Sequence, residues 1–195
     1  MESQSPAVPL VAFVAPSGTG KTQLLERVVA ALSRHGLRLG IIKASHHDFE
    51  IDRPGKDSYR LHHAGARQTL LASPWREARI TEGDGHTEPE LAECYRRLDL
   101  DRLDLVLAEG WRAADCDKIE VYRRNAGAEP FLYRRDPRVI ALAGDHPLAT
   151  DLPCLPLDDV EPLVAFLLAH LRRAGVAAGG GPESDSSPIT PGEPS

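Results

Sequence analysis

Hydrophobic residues follow two patterns along the chain: short, mostly apolar runs, and longer stretches in which they recur every three or four positions. The short runs, which are typical of buried parallel strands, lie at residues 10–15, 37–43, 103–109 and 139–143. The periodic stretches at 21–35 and 158–173 predict amphipathic helices. Weaker patterns predict two short helices, at 58–65 and 89–98. They also predict two further strands, at 68–72 and 78–82. Strands separated by helices predict an α/β fold, a mostly parallel sheet with helices on both faces.

A change of composition near the C-terminus separates a domain from a tail. Residues 174–195 are dominated by Gly, Pro and Ser and contain no aromatic side chain, so they bury too little apolar surface to offset the entropy lost on ordering. We therefore expect a flexible N-terminus over 1–8, one domain over 9–173 and a disordered tail over 174–195.

Composition and charge exclude several classes of protein. The 195 residues are 42% hydrophobic and 27% charged, the mix of a globular domain, and no apolar run approaches the ~20 residues of a membrane helix. No signal peptide is recognisable, so we expect a cytoplasmic protein with no membrane partner. A net charge of -6 with scattered Lys and Arg argues against nucleic-acid binding. The three cysteines form no CxxC pair and are expected to be reduced.

The segment after the first predicted strand reads APSGTGKT over residues 15–22 and matches the phosphate-loop pattern G-x-x-x-x-G-K-[ST], with Ala15 at the first position. Glycines let backbone N–H groups point at phosphates, and the start of the following helix presents its positive end to the same anion. Lys21 is expected to reach the β- and γ-phosphates, and the Thr22 hydroxyl to bind Mg²⁺. The nucleotide-binding residues predicted here are Ser17, Gly18, Thr19, Gly20, Lys21 and Thr22.

Glu109 is the candidate second metal residue, because it ends an apolar run and Gly110 allows a sharp turn after it. P-loop proteins usually place an Asp there, whereas a Glu reaches farther and is expected to serve through a water. A strand-ending surface Glu is the alternative. Asp104 is the weaker candidate because it stands at the beginning of the run.

The segment KASHHDFEIDRPGKDSY, residues 43–59, follows a strand end, where open α/β sheets bind ligands. Three interpretations stay open for His46, His47 and Asp48: a nucleotide-switch or substrate role, a solvated loop, and a transition-metal site. For the chemical step, His47 and Asp48 are the candidates for orienting an attacking water. No Gln or Arg stands at a position that the sequence marks as catalytic, so any nucleoside triphosphate hydrolysis is expected to be slow.

Five segments together resemble the MobB family, the molybdopterin-guanine dinucleotide biosynthesis adapter proteins. They are SGTGKT at 17–22, IIK…HHDFEIDRPGKDSYR at 41–60, AGA at 64–66, LDLVLAEG at 103–110 and VIALAGD at 139–145. The resemblance covers roughly residues 8–171, and the run around PGKDSY is its specific part.

This resemblance implies a P-loop α/β sheet with an added β-hairpin region, assembled as a homodimer. It implies binding of GTP with Mg²⁺, slow hydrolysis, and an accessory role beside the guanylyltransferase that attaches GMP to molybdopterin. Molybdopterin and other molybdenum-cofactor enzymes are the implied partners. Family members typically carry His where this chain has Ala44, which leaves His46 and His47 as the candidate histidines. No NKxD guanine motif is present, but Asp145 follows a strand in a comparable place, where it is either a guanine ligand or an ordinary turn residue.

Three other functions compete with the adapter hypothesis. A metallochaperone GTPase would use the same loop, but such proteins usually carry Cys-x-Cys-Cys or His-rich tracts. A small-molecule kinase would use the pairs Arg123-Arg124 and Arg134-Arg135 as lid residues. A scaffold with a vestigial nucleotide site is the third alternative.

Overall fold

The structure is a computed structural model that describes residues 8–45, 48–124 and 132–176. The chain divides into two compact units. The sheet unit comprises Met1–Lys43 and Leu91–Ser195, and the hairpin unit comprises Ala44–Glu90.

Six strands form the sheet of the sheet unit, and every pairing between them is parallel. Along the chain they are β1 Leu10–Val14, β2 Leu39–Lys43, β5 Leu105–Glu109, β6 Asp117–Tyr122, β7 Val139–Gly144 and β8 Cys154–Pro156. Their order across the sheet is β2-β5-β1-β6-β7-β8. Short 3₁₀ turns lie at Leu100–Arg102 and Leu132–Arg134.

Helices cover both faces of this sheet. On one face, α1 Lys21–Arg34 and α4 Glu161–Arg173 pack into a large apolar core with β1. The predicted periodicity in α1 is confirmed, because its buried residues are Leu24, Leu25, Val28, Ala31 and Leu32. On the other face, α3 Leu91–Arg96 contributes the buried Leu91 to a second core. The α/β class predicted from the sequence is therefore confirmed.

Two strands of the sheet, β6 and β8, were not predicted from the sequence. In β6, DKIEVY, charged residues alternate with apolar ones, yet Lys118 and Glu120 are each only 1% exposed. Their charges are paired inside the protein: Lys118 Nζ lies 2.9 Å from Asp136, and Glu120 accepts the backbone N–H groups of Leu132 and Tyr133. In β8 only three residues pair, and one of them is a proline, which leaves too short a pattern to recognise.

The hairpin unit contains α2 Asp57–His63 and an antiparallel pair, β3 Gln68–Ala72 and β4 Glu77–Thr81. Exposed and half-buried residues alternate along both strands, as in a sheet with one face covered. The predicted short helix and two strands correspond to α2, β3 and β4. Most of their predicted ends lie within one residue of the observed ends. This hairpin corresponds to the added region that the family resemblance implies.

At the C-terminus, the described contacts extend three residues beyond α4. Gly175 has a φ of 81°, Val176 N–H donates to the Leu171 carbonyl at 3.0 Å, and the Val176 side chain packs against the core. The predicted tail is outside the described residues from 177 onward. No helix in the described ranges is long and apolar enough to cross a membrane.

Candidate functional site

The phosphate loop, residues 15–22, connects the buried central strand β1 to α1. Gly18 and Gly20 have φ values of 79° and 85°, which L side chains rarely adopt, and Gly20 immediately precedes the first helical residue. Ser17 and Gly18 are exposed. The Thr19 side chain is 1% exposed and donates to the Pro16 carbonyl at 2.9 Å, so it shapes the loop from within.

Lys21 folds back over the loop. Its Nζ donates to the Ala15 carbonyl at 3.1 Å and to the Pro16 carbonyl at 3.2 Å. Partial burial lowers the pKa of Lys21, Glu109 opposes this, and the positive charges of Arg112 and Lys43 lower it further. Two neutral carbonyls are modest partners for an ammonium, so an anionic phosphate would replace them favourably.

Thr22 and Glu109, which are 87 positions apart in the chain, meet directly: Thr22 Oγ1 donates to Glu109 Oε1 at 2.8 Å. Parallel pairing explains this, because β5 lies beside β1 and places Glu109 opposite Phe13, at the edge where the loop begins. Lys43, at the end of β2, lies 3.2 Å from Glu109 Oε2. Gly110 and Trp111 then turn the chain with φ values of 113° and 54°.

These oxygens fit a magnesium ion. Mg²⁺ is usually held by one or two protein oxygens together with waters and phosphate oxygens. The Thr22 hydroxyl and the Glu109 carboxylate are the residues that would hold it. Asp104 is bonded elsewhere: it accepts the backbone N–H and the guanidinium of Arg38, which lowers the pKa of Asp104.

Two arginines lie near the loop, of which the sequence analysis named Arg123 only as a lid residue of the kinase alternative and did not name Arg112. Arg123 follows β6, and its Nε donates to the Thr19 carbonyl at 3.0 Å. Arg112 follows the turn after β5, close enough to Lys21 to lower the pKa of that lysine. Arg123 could have been assigned to the site if β6 had been recognised as a strand beside β1. The alternation of charged and apolar residues in β6 prevented that prediction.

Asp145 lies just after β7, in the wall of a cavity of about 220 Å³ that also includes Cys154 and Asp158. We call it the base cavity. Asp145 accepts the backbone N–H of Arg124 at 3.0 Å and lies 2.7 Å from His146 Nδ1. His146 and the Arg124 N–H lower the pKa of Asp145, which keeps the carboxylate ionised.

Gly144 lines the base cavity and packs against the Tyr122 ring. A Cβ at Gly144 would overlap the Tyr122 ring, so only glycine fits there. The Tyr122 hydroxyl donates to the His146 carbonyl, and burial raises the pKa of Tyr122 to about 12. The neutral Tyr122 hydroxyl therefore holds the turn that carries Asp145, through its hydrogen bond to the next residue.

The predicted water-orienting residues are placed only in part. His47, like His46, is outside the described residues. Asp48 belongs to the hairpin unit, where it lines a second cavity of about 460 Å³. Their catalytic role stays a prediction.

Comparison with known proteins identifies the family. The family model described as "Molybdopterin guanine dinucleotide synthesis protein B" matches residues 10–145. The chain belongs to the MobB family. It is 44% identical over 166 residues to the molybdopterin-guanine dinucleotide biosynthesis adapter protein of Escherichia coli K12, covering 85% of this chain and 95% of that protein. The adapter protein of Haemophilus influenzae is 35% identical over 162 residues, with coverage of 82% and 88%.

Solved MobB structures have the same fold. A crystal structure of molybdopterin-guanine biosynthesis protein B matches with a TM-score of 0.65 and 27% identity, over 84% of this chain and 99% of that one. The crystal structure of Bacillus subtilis MobB matches with a TM-score of 0.63 and 23% identity, over 83% and 96%. The sheet and the loop thus form a P-loop NTPase-type fold, and the resemblance noted from the sequence is confirmed.

Proposed function

We propose that this protein is a GTP-binding adapter with weak GTPase activity that assists formation of the guanine dinucleotide form of the molybdenum cofactor. Membership of the MobB family supports the pathway. The contact between Thr22 and Glu109 supports the proposed nucleotide binding, because it joins the two predicted metal residues beside the phosphate loop.

The triphosphate would lie over the phosphate loop. Backbone N–H groups around Gly18 and Gly20 and the start of α1 supply a concentration of positive partial charge. Lys21 would exchange its two carbonyl partners for phosphate oxygens. When bound, Mg²⁺ would neutralise phosphate charge, and Thr22 and Glu109 would hold it.

Guanine would occupy the base cavity. The ionised Asp145 carboxylate offers two acceptors, which match the N1–H and N2–H₂ donors of guanine. Its orientation is already set by the backbone N–H of Arg124 and by His146. Adenine presents no matching pair of donors, so the same carboxylate would disfavour ATP.

Slow turnover is part of this proposal. Arg123 is bonded to the Thr19 carbonyl, so its guanidinium stabilises the loop. A positive charge placed on the transition state is worth about 10³–10⁵ in rate in characterised GTPases. We expect isolated protein to hydrolyse GTP far below once per second, and molybdopterin or the guanylyltransferase to be the binding partners of the nucleotide-loaded adapter.

Homodimerisation is also proposed. Leu61, Leu70 and Trp75 in the hairpin unit are 69%, 59% and 84% exposed, which is unusual for large apolar side chains and supplies apolar surface for a second copy. Light scattering after size-exclusion chromatography would measure the oligomer, and Leu70→Ser and Trp75→Ser should shift it toward monomer. A cytoplasmic location stays a prediction.

The decisive experiment reconstitutes the transfer of GMP to molybdopterin with purified guanylyltransferase, with and without this protein. We expect the adapter to increase product at limiting GTP, and Lys21→Ala to lose that effect while Arg34→Ala, an exposed control at the opposite end of α1, keeps it. A metal-dependent stimulation of a nickel, cobalt or zinc enzyme would favour the metallochaperone alternative instead. Phosphorylation of an added metabolite would favour the kinase.

A further inference from the structure

The second cavity lies wholly within the hairpin unit and is separate from the residues of the phosphate loop and the base cavity. Its volume of about 460 Å³ falls within the range of small-molecule sites. We call it the hairpin cavity. Its walls come from residues 48–52, from α2 and from the end of β4.

One wall of the hairpin cavity is aromatic and apolar. Tyr59 and His63, one helical turn apart, stack with ring centroids 3.8 Å apart and an interplanar angle of 23°. Phe49 and Ile51 line the same cavity, and each is 65% exposed. Flat π surfaces and exposed apolar side chains around a concave site favour a planar apolar-faced ligand.

One carboxylate on the same walls, Glu50, is held only weakly by the protein. Glu50 has only long contacts, 3.4 Å to the Tyr59 hydroxyl and 3.9 Å to His63 Nε2. Asp52 is engaged within the protein instead, because hydrogen bonds from the Ser58 side chain and the Arg53 N–H lower the pKa of Asp52. The site therefore offers acceptors to a ligand that brings N–H groups.

A rigid frame supports these groups. Both ring nitrogens of His62 are engaged, Nδ1 with Thr69 at 2.8 Å and Nε2 with Glu82 at 2.6 Å, which ties α2 to the hairpin strands. Arg67 on the same cavity is the cation available to a phosphate or other anionic substituent.

We propose that the hairpin cavity binds a flat heteroaromatic ring carrying a 2-amino-4-oxopyrimidine edge, namely the pterin of molybdopterin. The adjacent ring N–H and exocyclic NH₂ of that edge pair with one carboxylate, and the ring face stacks on Tyr59. Guanine carries the same edge. The choice of pterin rests on the proposed function, in which guanine occupies the base cavity of the sheet unit.

The test measures binding of neopterin, guanosine and lumazine to the full-length protein by calorimetry, without nucleotide. Lumazine has an oxo group where neopterin has the amino group, so it presents an acceptor to the carboxylates. Losing a hydrogen bond to a charged group costs tenfold or more in affinity, so we expect lumazine to bind at least about tenfold more weakly than neopterin. Guanosine should also bind more weakly than neopterin.

Two variants and a matched control locate the site. Glu50→Gln should lower neopterin affinity about tenfold, and Tyr59→Leu should lower it by a similar factor through lost stacking. Glu77→Gln, on exposed β4 outside the cavity walls, should change nothing. Thermal melting of each variant confirms that it is folded.

The failures are distinguishable. Undetectable neopterin binding, equal binding of lumazine, or preferred binding of guanosine would each overturn the pterin assignment while leaving GTP binding untouched. Lys21→Ala should keep neopterin binding and lose GTP binding. Loss of both ligands in that variant would overturn the assignment of two separate sites.

Discussion

At the residue scale, we expect Lys21 to decide whether the loop binds phosphates. It is the one cation of the loop, and its two bonds to backbone carbonyls are replaceable. Replacing it with Ala should leave the fold intact, because the side chain is only partly buried and its partners are carbonyls at the protein surface. We expect GTP affinity to fall at least about tenfold, since charge-assisted bonds contribute about 1.5–3 kcal/mol. Calorimetry with GTP measures this change. An unchanged GTP affinity would contradict the assignment of this loop as the phosphate-binding site.

Glu109 contacts Thr22 in the same site, and we propose that it acts through the metal. Glu109→Gln keeps the size of the side chain and an acceptor for the Thr22 hydroxyl, but removes the negative charge that Mg²⁺ requires. We expect the parent to bind GTP much more tightly with Mg²⁺ than with a chelator, and the variant to show that difference reduced by about tenfold. Glu26→Gln on the exposed face of α1 is the control. An undiminished magnesium effect in the Glu109 variant would contradict its role as a metal residue.

Substitution of Asp145 tests whether this residue makes the protein prefer guanine over adenine. Asparagine presents one acceptor and one donor, so Asp145→Asn should clash with one of the two guanine N–H groups. The preference for GTP over ATP should fall at least about tenfold in a competition titration. Asp151→Asn, an exposed residue outside the cavity walls, should keep the parent preference. Equal binding of GTP and ATP by the parent itself would remove guanine selectivity from the proposal.

At the scale of the element, β6 connects the site to the rest of the sheet. Its buried Lys118 and Glu120 hold the segment that begins at Leu132, and its end delivers Arg123 to the phosphate loop and Arg124 to Asp145. One strand thereby supports both the loop and the base cavity. The charges inside it are stabilising only while their partners remain.

Asp136→Asn tests this pairing. Lys118 holds the pKa of Asp136 below its ordinary value of 3.8, helped by the Arg138 N–H. A carboxylate whose pKa is depressed in the folded state adds stability above its unfolded pKa, and this stability is lost as pH falls through the folded value. We expect the variant to lose about 1–3 kcal/mol of unfolding free energy at pH 7, and the difference from the parent to shrink below about pH 4. Denaturant titrations at both pH values measure it, with exposed Asp101→Asn as the control.

At the scale of the whole molecule, the boundary of the domain is testable by truncation. Deleting residues 177–195 should leave the melting temperature and GTP affinity unchanged, because the described packing ends at Val176. Deleting residues 174–195 should lower the melting temperature, because it removes the glycine that caps α4 and the Val176 contact. If the shorter deletion is destabilising, the tail contributes to the fold. If the longer one is harmless, the domain ends at Arg173 as the sequence predicts.

Much of the architecture follows from local patterns. The apolar runs of β1, β5 and β7 and the periodic face of α1 were predictable because burial on both sides of a parallel sheet requires continuous apolar sequence. The strand β6 was not, because its buried charges are neutralised by Asp136 and by backbone N–H groups that come from another part of the chain. Prediction from the hydrophobic pattern alone assigns charged residues such as Lys118 and Glu120 to the surface.

The sequence by itself determined the phosphate loop, the family and the residue types of the predicted metal pair, because a glycine-rich turn between an apolar strand and a helix is encoded in consecutive positions. Tertiary structure decided which distant residues share the site. Parallel register brought Glu109 to Thr22, β6 brought Arg123 to Thr19, and local folding of residues 48–83 made the hairpin cavity. These contacts depend on strand order and on packing between segments far apart in the chain, and no local spacing of residues contains that information.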